Sequence, residues 1–299
     1  MKKFIKKTIL FLLLPFLCYI LLFTYLKFRL ENNISTSDAI IIGDSHTQHI
    51  NISDVFNYSI SGSPYIIHYN FLNSVKEKLQ GKIVIIAFGY HNISPLYENR
   101  FNKNVITSGW IPMVNLELNS TNFFAKSYDY SWQNNIIENI FSKRRLGKLY
   151  YRSSGKPSIN TTRFCTDTTF FTKTVTRHYI NPDYLDADII QEKYLSLIIE
   201  LLIKQNCEIF LLNTPITEYY FNKIPISIKN KHSTLVNKFE KVQYLDLNNI
   251  LEVDIDSTIF KDADHVNQKG DNLIAKYITN KIIKNKARTH NNVYKKQAQ

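Results

Sequence analysis

The order of apolar and polar positions divides the chain into an uncharged stretch, an alternating α/β region and a long region with no dominant period. Residues 8–26 read TILFLLLPFLCYILLFTYL and carry no charged side chain. As a helix rising about 1.5 Å per residue, such a run spans roughly 28 Å, about a bilayer core. Beyond residue 37, short apolar runs alternate with helical patterns. Residues 38–43, 55–60, 82–88, 208–213 and 242–245 read as strands. The clearest is 82–88, KIVIIAF, with β-branched residues on both faces. Helices are expected at 65–79, 184–205, 227–240 and 267–284. In the second, Leu195, Ile198, Ile199, Leu202 and Ile203 fall at helical spacing; in the last, Leu273, Ile274, Tyr277, Ile278 and Ile282 do. Five continuous apolar strands with helices between them predict an α/β fold whose parallel sheet is covered on both faces. In such sheets the functional residues collect just beyond the strand carboxyl ends.

Residues 97–180 break this pattern. They are rich in Asn, Tyr, Phe, Ser and Thr, and only one helix, near 132–149, is expected there. A segment of that length between two sheet elements reads as an inserted cap or a binding surface within a domain spanning 38–284. Residues 31–37 read as a polar linker and 285–299 as a basic tail.

Composition and charge narrow the class. Among 299 residues, 44% are hydrophobic, with 8 Gly, 8 Pro and 3 Cys, which excludes disordered, collagen-like and disulfide-scaffold chains. A mean hydropathy of -0.21 excludes a multi-span membrane protein. Residues 1–30 hold Lys2, Lys3, Lys6, Lys7, Lys27 and Arg29 and no acid; residues 281–299 also hold six basic residues and no acid. The two ends thus account for the whole net charge of +12, and the body between them is neutral. A nucleic-acid-binding domain carries its positive charge on the folded body, so no nucleic-acid partner is expected. The basic tail suits anionic lipid or an anionic wall polymer, although a solvated, frayed end is the commoner case. Four lysines precede the apolar run, which puts the N-terminus in the cytoplasm and the domain outside it. A cleaved signal peptide competes with this reading, but the run is long and no small-x-small site follows. An uncleaved single-pass anchor in the cell membrane is the expectation, with Pro15 tolerated as a kink. Cys18 lies in the anchor; Cys165 and Cys207 are left outside, as one disulfide or two free thiols.

Four short motifs follow strands or precede the last helix. Gly43-Asp44-Ser45-His46 follows the first strand, where a turn can present the serine hydroxyl to backbone N–H donors. Alone it is an ordinary turn, since all three leading residues favour turns. Asp262-Ala-Asp264-His265 precedes the last helix. A serine needs a base at neutral pH, and a histidine held by a carboxylate serves. The competing readings are an acidic N-cap cluster and, less favoured for want of a second ligand cluster, a metal site on Asp262, Asp264 and His265. Ser61-Gly62 follows the second strand and Gly89-Tyr90-His91-Asn92 the third. Both can line an oxyanion hole; both can equally be loop residues.

In combination and order these motifs resemble the SGNH/GDSL hydrolase superfamily, over about residues 38–284 without the insert. The resemblance implies a three-layer flavodoxin-like sandwich with strand order 2-1-3-4-5. It implies Ser45 as nucleophile, His265 as base and Asp262 as its orienter, with no cofactor and no metal. It implies an oxyanion hole from the N–H groups of Ser45 and Gly62 and a side chain of the third motif. There the chain departs from the family: the position of the family's asparagine is held by His91 and that of its aspartate by Asn92. Either Asn92 or a neutral His91 donates in its place. His46 and Asp264 are candidate substrate contacts; His46 and His49 otherwise read as surface or pocket-edge histidines on a first helix. Arg177-His178 closes the insert and is not assigned to the pocket, and His68, His232 and His290 carry no context. Lys143-Arg144-Arg145 reads as a solvated helix face or a glycan contact. Trp110, Tyr128, Tyr130, Trp132, Tyr150 and Tyr151 suit sugar rings as well as they suit packing of the insert.

The expected activity is serine-dependent acyl transfer on a cell-surface polysaccharide, foremost as an O-acetyltransferase. Anchored relatives of this superfamily modify envelope glycans with acetyl groups, and membrane acyltransferases supply such domains with them. The alternatives are a carbohydrate O-acetylesterase, with water as acceptor, and a non-catalytic glycan-binding subunit of an envelope biosynthesis complex.

Overall fold

A computed structural model of the chain describes residues 2–99, 154–157, 160–162, 168–180, 190–250 and 257–284. The expected helix at 132–149, the insert aromatics, the basic cluster at 143–145, Cys165, His290 and the tail at 285–299 lie outside the described residues.

The five strands form one sheet: β1 Ala39–Gly43, β2 Val55–Ser59, β3 Ile83–Ala87, β4 Glu208–Asn213 and β5 Val242–Asp246. Every pairing is parallel and the order is β2-β1-β3-β4-β5, as expected. Alternation along each strand splits the core into two layers. Ile40, Ile42, Val84, Ile86, Ile209 and Leu211 enter one cluster with residues of α2 (Tyr65–Ser74), α5 (Ile190–Lys204) and α7 (Ile226–Lys238). Ala39, Ile41, Ile83, Ile85, Phe210 and Leu212 enter the other with Ile274 and Ile278 of α9 (Gln268–Ile278). Both faces of the central strands are therefore dry, which is why they read as unbroken apolar runs.

Several helices depart from expectation. The stretch at 31–37 is no linker: α1 runs Lys2–Thr36 as one helix. Leu26 and Ile34 bury against the domain, and Lys82 Nζ donates to the carbonyls of Ser35 (3.2 Å) and Ser37 (2.6 Å), covering acceptors at and just past the helix end. The predicted helix at 65–79 stops at Ser74, whose hydroxyl donates to Phe71 O, and continues as a 3₁₀ turn, Lys76–Lys78. The last helix widens into a π-turn at Thr279–Ile283. Short helices unmarked by any period appear at α3 Pro95–Asn99, α4 Thr168–Val175, α6 Glu218–Lys223 and α8 Leu247–Ile250.

The side chains of residues 2–10, 12, 15, 16, 19 and 23 lie outside the described residues, and with them much of the expected anchor at 8–26. Among the described residues, no helix is long and apolar enough to cross a membrane. Several described apolar side chains of that stretch, Phe11, Leu14, Leu17 and Leu21 among them, are exposed, whereas Leu26 at its end is buried.

The sheet begins at β1, steps out to β2 and returns across β1 to β3. The direction of winding reverses there, leaving a crevice at the carboxyl ends of β1 and β3. The turns after these two strands carry the candidate chemistry.

Candidate active site

The turn after β1 is built by three local devices. Gly43 is required by close approach: a Cβ there would lie 2.3 Å from Thr47 Oγ1 and 2.5 Å from the Ala87 Cβ. Asp44 folds the chain over itself by accepting from the His46 backbone N–H at 3.0 Å. Asn57, on β2, donates to the carbonyls of Thr47 (2.8 Å) and Ile50 (2.9 Å), and Thr47 O also closes a turn by accepting from the Ile50 N–H at 3.2 Å. Residues 44–49 are accordingly a run of turns and not the first helix expected. Ser45 sits on this run, half-buried.

The loop before α9 is organised around Asp262. Its Oδ1 accepts from the backbone N–H of Asp264 (3.1 Å) and of His265 (2.8 Å) and faces His265 Nδ1 at 2.9 Å. Thr217 donates from its hydroxyl (2.7 Å) and its backbone N–H (3.0 Å) to Ala263 O, and Asn267 caps α9 through its side chain. The loop is thereby fixed on both sides.

Ser45 and His265, 220 positions apart, meet: Ser45 Oγ lies 2.7 Å from His265 Nε2. With the Asp262 contact on the other ring nitrogen, the three residues form a serine–histidine–aspartate relay. Asp264 also reaches His265 Nδ1, at 3.1 Å, but only the Asp262 contact is aligned as a hydrogen bond. Each variant being assayed at its own optimal pH, Asp262→Ala is expected to lower kcat more than Asp264→Ala, because only Asp262 fixes the ring's tautomer. The reverse order in a kinetic comparison refutes this assignment.

The oxyanion-hole expectation needs correction. Asp44 is fully buried, and its Oδ2 accepts from His91 Nε2 (2.8 Å), Asn92 Nδ2 (2.9 Å) and the Tyr97 hydroxyl. The Asn92 side-chain oxygen Oδ1 meanwhile accepts from the Gly89 backbone N–H at 2.7 Å. A neutral His91 has one N–H, and it is spent on Asp44. Asn92 keeps one amide hydrogen. Among the described residues no hydrogen bond uses the backbone N–H of Ser45 or of Gly62, whose φ of 68° is left-handed. Backbone donors, together with the second Asn92 hydrogen, are what this geometry offers a developing oxyanion.

His46 and Asp264 are likewise corrected as substrate contacts and His46 as a surface residue: both side chains are buried beneath the relay. His46 Nδ1 donates to Asp44 Oδ1 at 3.0 Å, and its Nε2 lies 3.3 Å from Asp264 Oδ2. Its ring stacks on His91 at 3.6 Å between centroids and on His265 at 4.1 Å. His178 comes within 3.7 Å of Asp264 and meets the Tyr220 hydroxyl at 2.6 Å. Tyr97, His178 and Tyr220 had no local motif to mark their part in this cluster. His68 and His232 are core histidines, bonded to Ser63 Oγ and stacked on Phe88 respectively. Cys207 Sγ donates to Leu79 O at 3.1 Å.

Charge follows from these contacts. Burial works against an ionised Asp44, but His91 and His46 more than offset it and hold the carboxyl well below its usual range. Burial foremost, with the His46 charge adding to it, keeps His91 neutral, at about 4; burial foremost, with His91, Arg177 and His46 adding to it, keeps His178 neutral, at about 3. Burial also opposes a charged His265, yet Asp264 and then Asp262 carry it up to about 10. Two sets, Asp44 with His46 and His91, and His46 with Asp264 and His265, bring metal-ligand atoms within 4.8 Å of one another. A cation at the first would displace donors from Asp44, and at the second would compete for the nitrogen that holds Asp262. A scan of protein-family models finds no match to the chain, and a search of curated proteins finds none.

Proposed function

We propose that this chain transfers acyl groups through Ser45 to a cell-surface polysaccharide, as an O-acetyltransferase of the SGNH/GDSL kind. The observation that carries the reading is the contact of Ser45 Oγ with His265 Nε2 at 2.7 Å, backed by Asp262 on the opposite nitrogen. His265 takes the hydroxyl proton as Ser45 Oγ attacks the acyl carbonyl. Collapse of the tetrahedral intermediate expels the donor's leaving group, which His265 protonates, and leaves acyl-Ser45. A sugar hydroxyl then attacks the acyl carbon and gives its proton to His265. The bond to Oγ breaks and the proton returns to Ser45. Attachment to the membrane is supported by the uncharged run at 8–26, the lysines before it and the exposed apolar side chains along α1. On this reading the domain lies outside the cytoplasm, where envelope glycans lie.

The test is the full chain in detergent with p-nitrophenyl acetate, followed by absorbance and intact-mass spectrometry, with and without an envelope glycan. Acetyl-Ser45 that passes to the glycan supports the transferase. Acetyl-Ser45 consumed only by water makes the chain an esterase. Glycan binding without turnover makes it a binding subunit.

The pH profile has a definite sign. His265 must be neutral to accept the serine proton, and its raised titration leaves it an imidazolium at pH 7. With the Ser45→Ala rate subtracted, kcat/KM is expected to climb about tenfold per pH unit and level near pH 10, not near 6.5. The same proton stabilises the fold. Its contribution is complete below pH 6.5 and is lost as pH rises through about 10, so thermal stability declines across that window. A plateau in kcat/KM already reached at pH 7 contradicts this.

A further inference from the structure

We propose that Asp264 is a second carboxylate of the catalytic histidine, a positioning residue that shares protons between the stacked rings of His46 and His265 and so decides when Ser45 can be activated. The inference rests on the acyl-transfer reading for its consequence, but its physical content does not.

Asp264 is completely buried and faces both rings at once. Oδ1 lies 3.1 Å from His265 Nδ1 and Oδ2 lies 3.3 Å from His46 Nε2. The rings are stacked 4.1 Å apart and 18° from parallel. Neither contact is aligned as a hydrogen bond, so among the described residues both Asp264 oxygens and His46 Nε2 lack one. A buried carboxylate without an aligned donor is costly unless a positive charge lies beside it.

The tautomer of His46 identifies that charge. Its Nδ1 faces the ionised Asp44, an acceptor only, and so carries a hydrogen. A bare Nε2 would then aim its lone pair at the Asp264 carboxylate across 3.3 Å of dry interior. A proton on Nε2 removes that conflict and makes His46 a cation bridging Asp44 and Asp264. Its titration is indeed raised: burial and the His265 charge oppose it, while Asp44 and Asp264 outweigh them. A second proton on His265 places two like charges face to face, so the rings titrate as one coupled pair.

Among the described residues, Asp264 alone has its carboxylate within 3.3 Å of both members of the pair. His91, on the far face of His46, is neutral and bonded to Asp44. His178 is neutral, lies 3.7 Å from Asp264, and is held by Tyr220 and by the Arg177 guanidinium at 3.3 Å. The Tyr179 hydroxyl meets Tyr220 behind it. On α9, Asp271 bonds Asn160, and burial raises its carboxyl to about 6. Asp262 is more exposed, at 27% of its side chain, and makes the aligned bond. The two carboxylates therefore divide the work: Asp262 orients His265, and Asp264 sets its proton occupancy.

The experiment follows histidine ring titrations by NMR in the full, ¹⁵N-histidine-labelled chain in detergent, alongside kcat/KM against pH for the model ester. His46→Gln and His265→Gln assign the signals. In Asp264→Asn the His265 midpoint is expected to fall by more than one pH unit. The acid limb of kcat/KM should move with it, so the fraction of plateau activity reached at pH 7 rises at least tenfold. In His46→Gln, which removes the competing cation, the His265 midpoint is expected to rise; this arm serves if Asp264→Asn does not fold. An unmoved His265 midpoint in either folded variant overturns the proposal, as does a neutral His46 at pH 7 in the parent. Shifted midpoints without Ser45-dependent turnover uphold the proton coupling and refute the acyl-transfer reading instead.

Discussion

Ser45→Ala is expected to abolish the acyl-enzyme and to lower kcat for an activated ester by roughly 10⁴ or more. The magnitude follows because, among the described residues, no neighbouring hydroxyl is placed to substitute for it. The neighbouring hydroxyls are committed: Thr47 Oγ1 to Ser59 Oγ at 2.8 Å, and Ser63 Oγ to Gly43 O at 3.0 Å. Neither faces His265. The Ser45 hydroxyl makes one described hydrogen bond, to His265, so its loss leaves the turn and the sheet intact. Unchanged thermal unfolding should accompany the loss of activity. An acetyl adduct that persists in Ser45→Ala would move the nucleophile elsewhere and end the assignment.

The second large effect is on folding. Asp44→Ala is expected to destabilise the chain by about 3–5 kcal/mol, the usual cost of removing one member of a buried charged network. Oδ1 accepts from the backbone and the ring of His46, and Oδ2 from His91, Asn92 and Tyr97. Alanine strands all of these donors in a site without water access and leaves His46 facing no anion on that side. Asp44→Asn fares little better, because its amide group turns a donor towards other donors. Either change should lower the melting temperature by roughly 10 °C, at two to four degrees per kcal/mol for a domain of this size. The sign in pH is the opposite of that for His265. The folded carboxyl stays ionised well below 3.8, so its contribution holds at neutral pH and is lost only as pH falls through that low value. Differential scanning calorimetry of the variants checks the size. A melting temperature unchanged by Asp44→Ala would mean that the donors find other partners.

The sequence by itself determined the strands and one of the two relay contacts, that of Asp262 with His265. Ala39–Gly43, Ile83–Ala87 and Glu208–Asn213 were legible because both faces of a central parallel strand are dry, which forces apolar residues at successive positions. The Asp262–His265 pair was legible because a separation of three residues brings the groups together within one loop, whatever the rest of the chain does. What surrounds them was decided only by tertiary structure. Ser45 and His265 meet because the sheet places the turn after β1 beside the loop before α9, and no local period encodes a contact over 220 positions. The stack of His91, His46 and His265, and the burial of Asp264 against it, depend on side-chain directions in irregular turns. Helices and strands fix such directions by their periods of 3.6 and 2, but turns do not. The same reason governs the end of α1: residues 31–37 read as linker because they are polar, yet the helix runs on to Thr36, where Ile34 docks on the core and Lys82 Nζ covers the carbonyls of Ser35 and Ser37. Backbone pattern is written where hydrophobic burial repeats. The charge state of the site is set where distant segments bring their carboxylates and imidazoles into one dry volume.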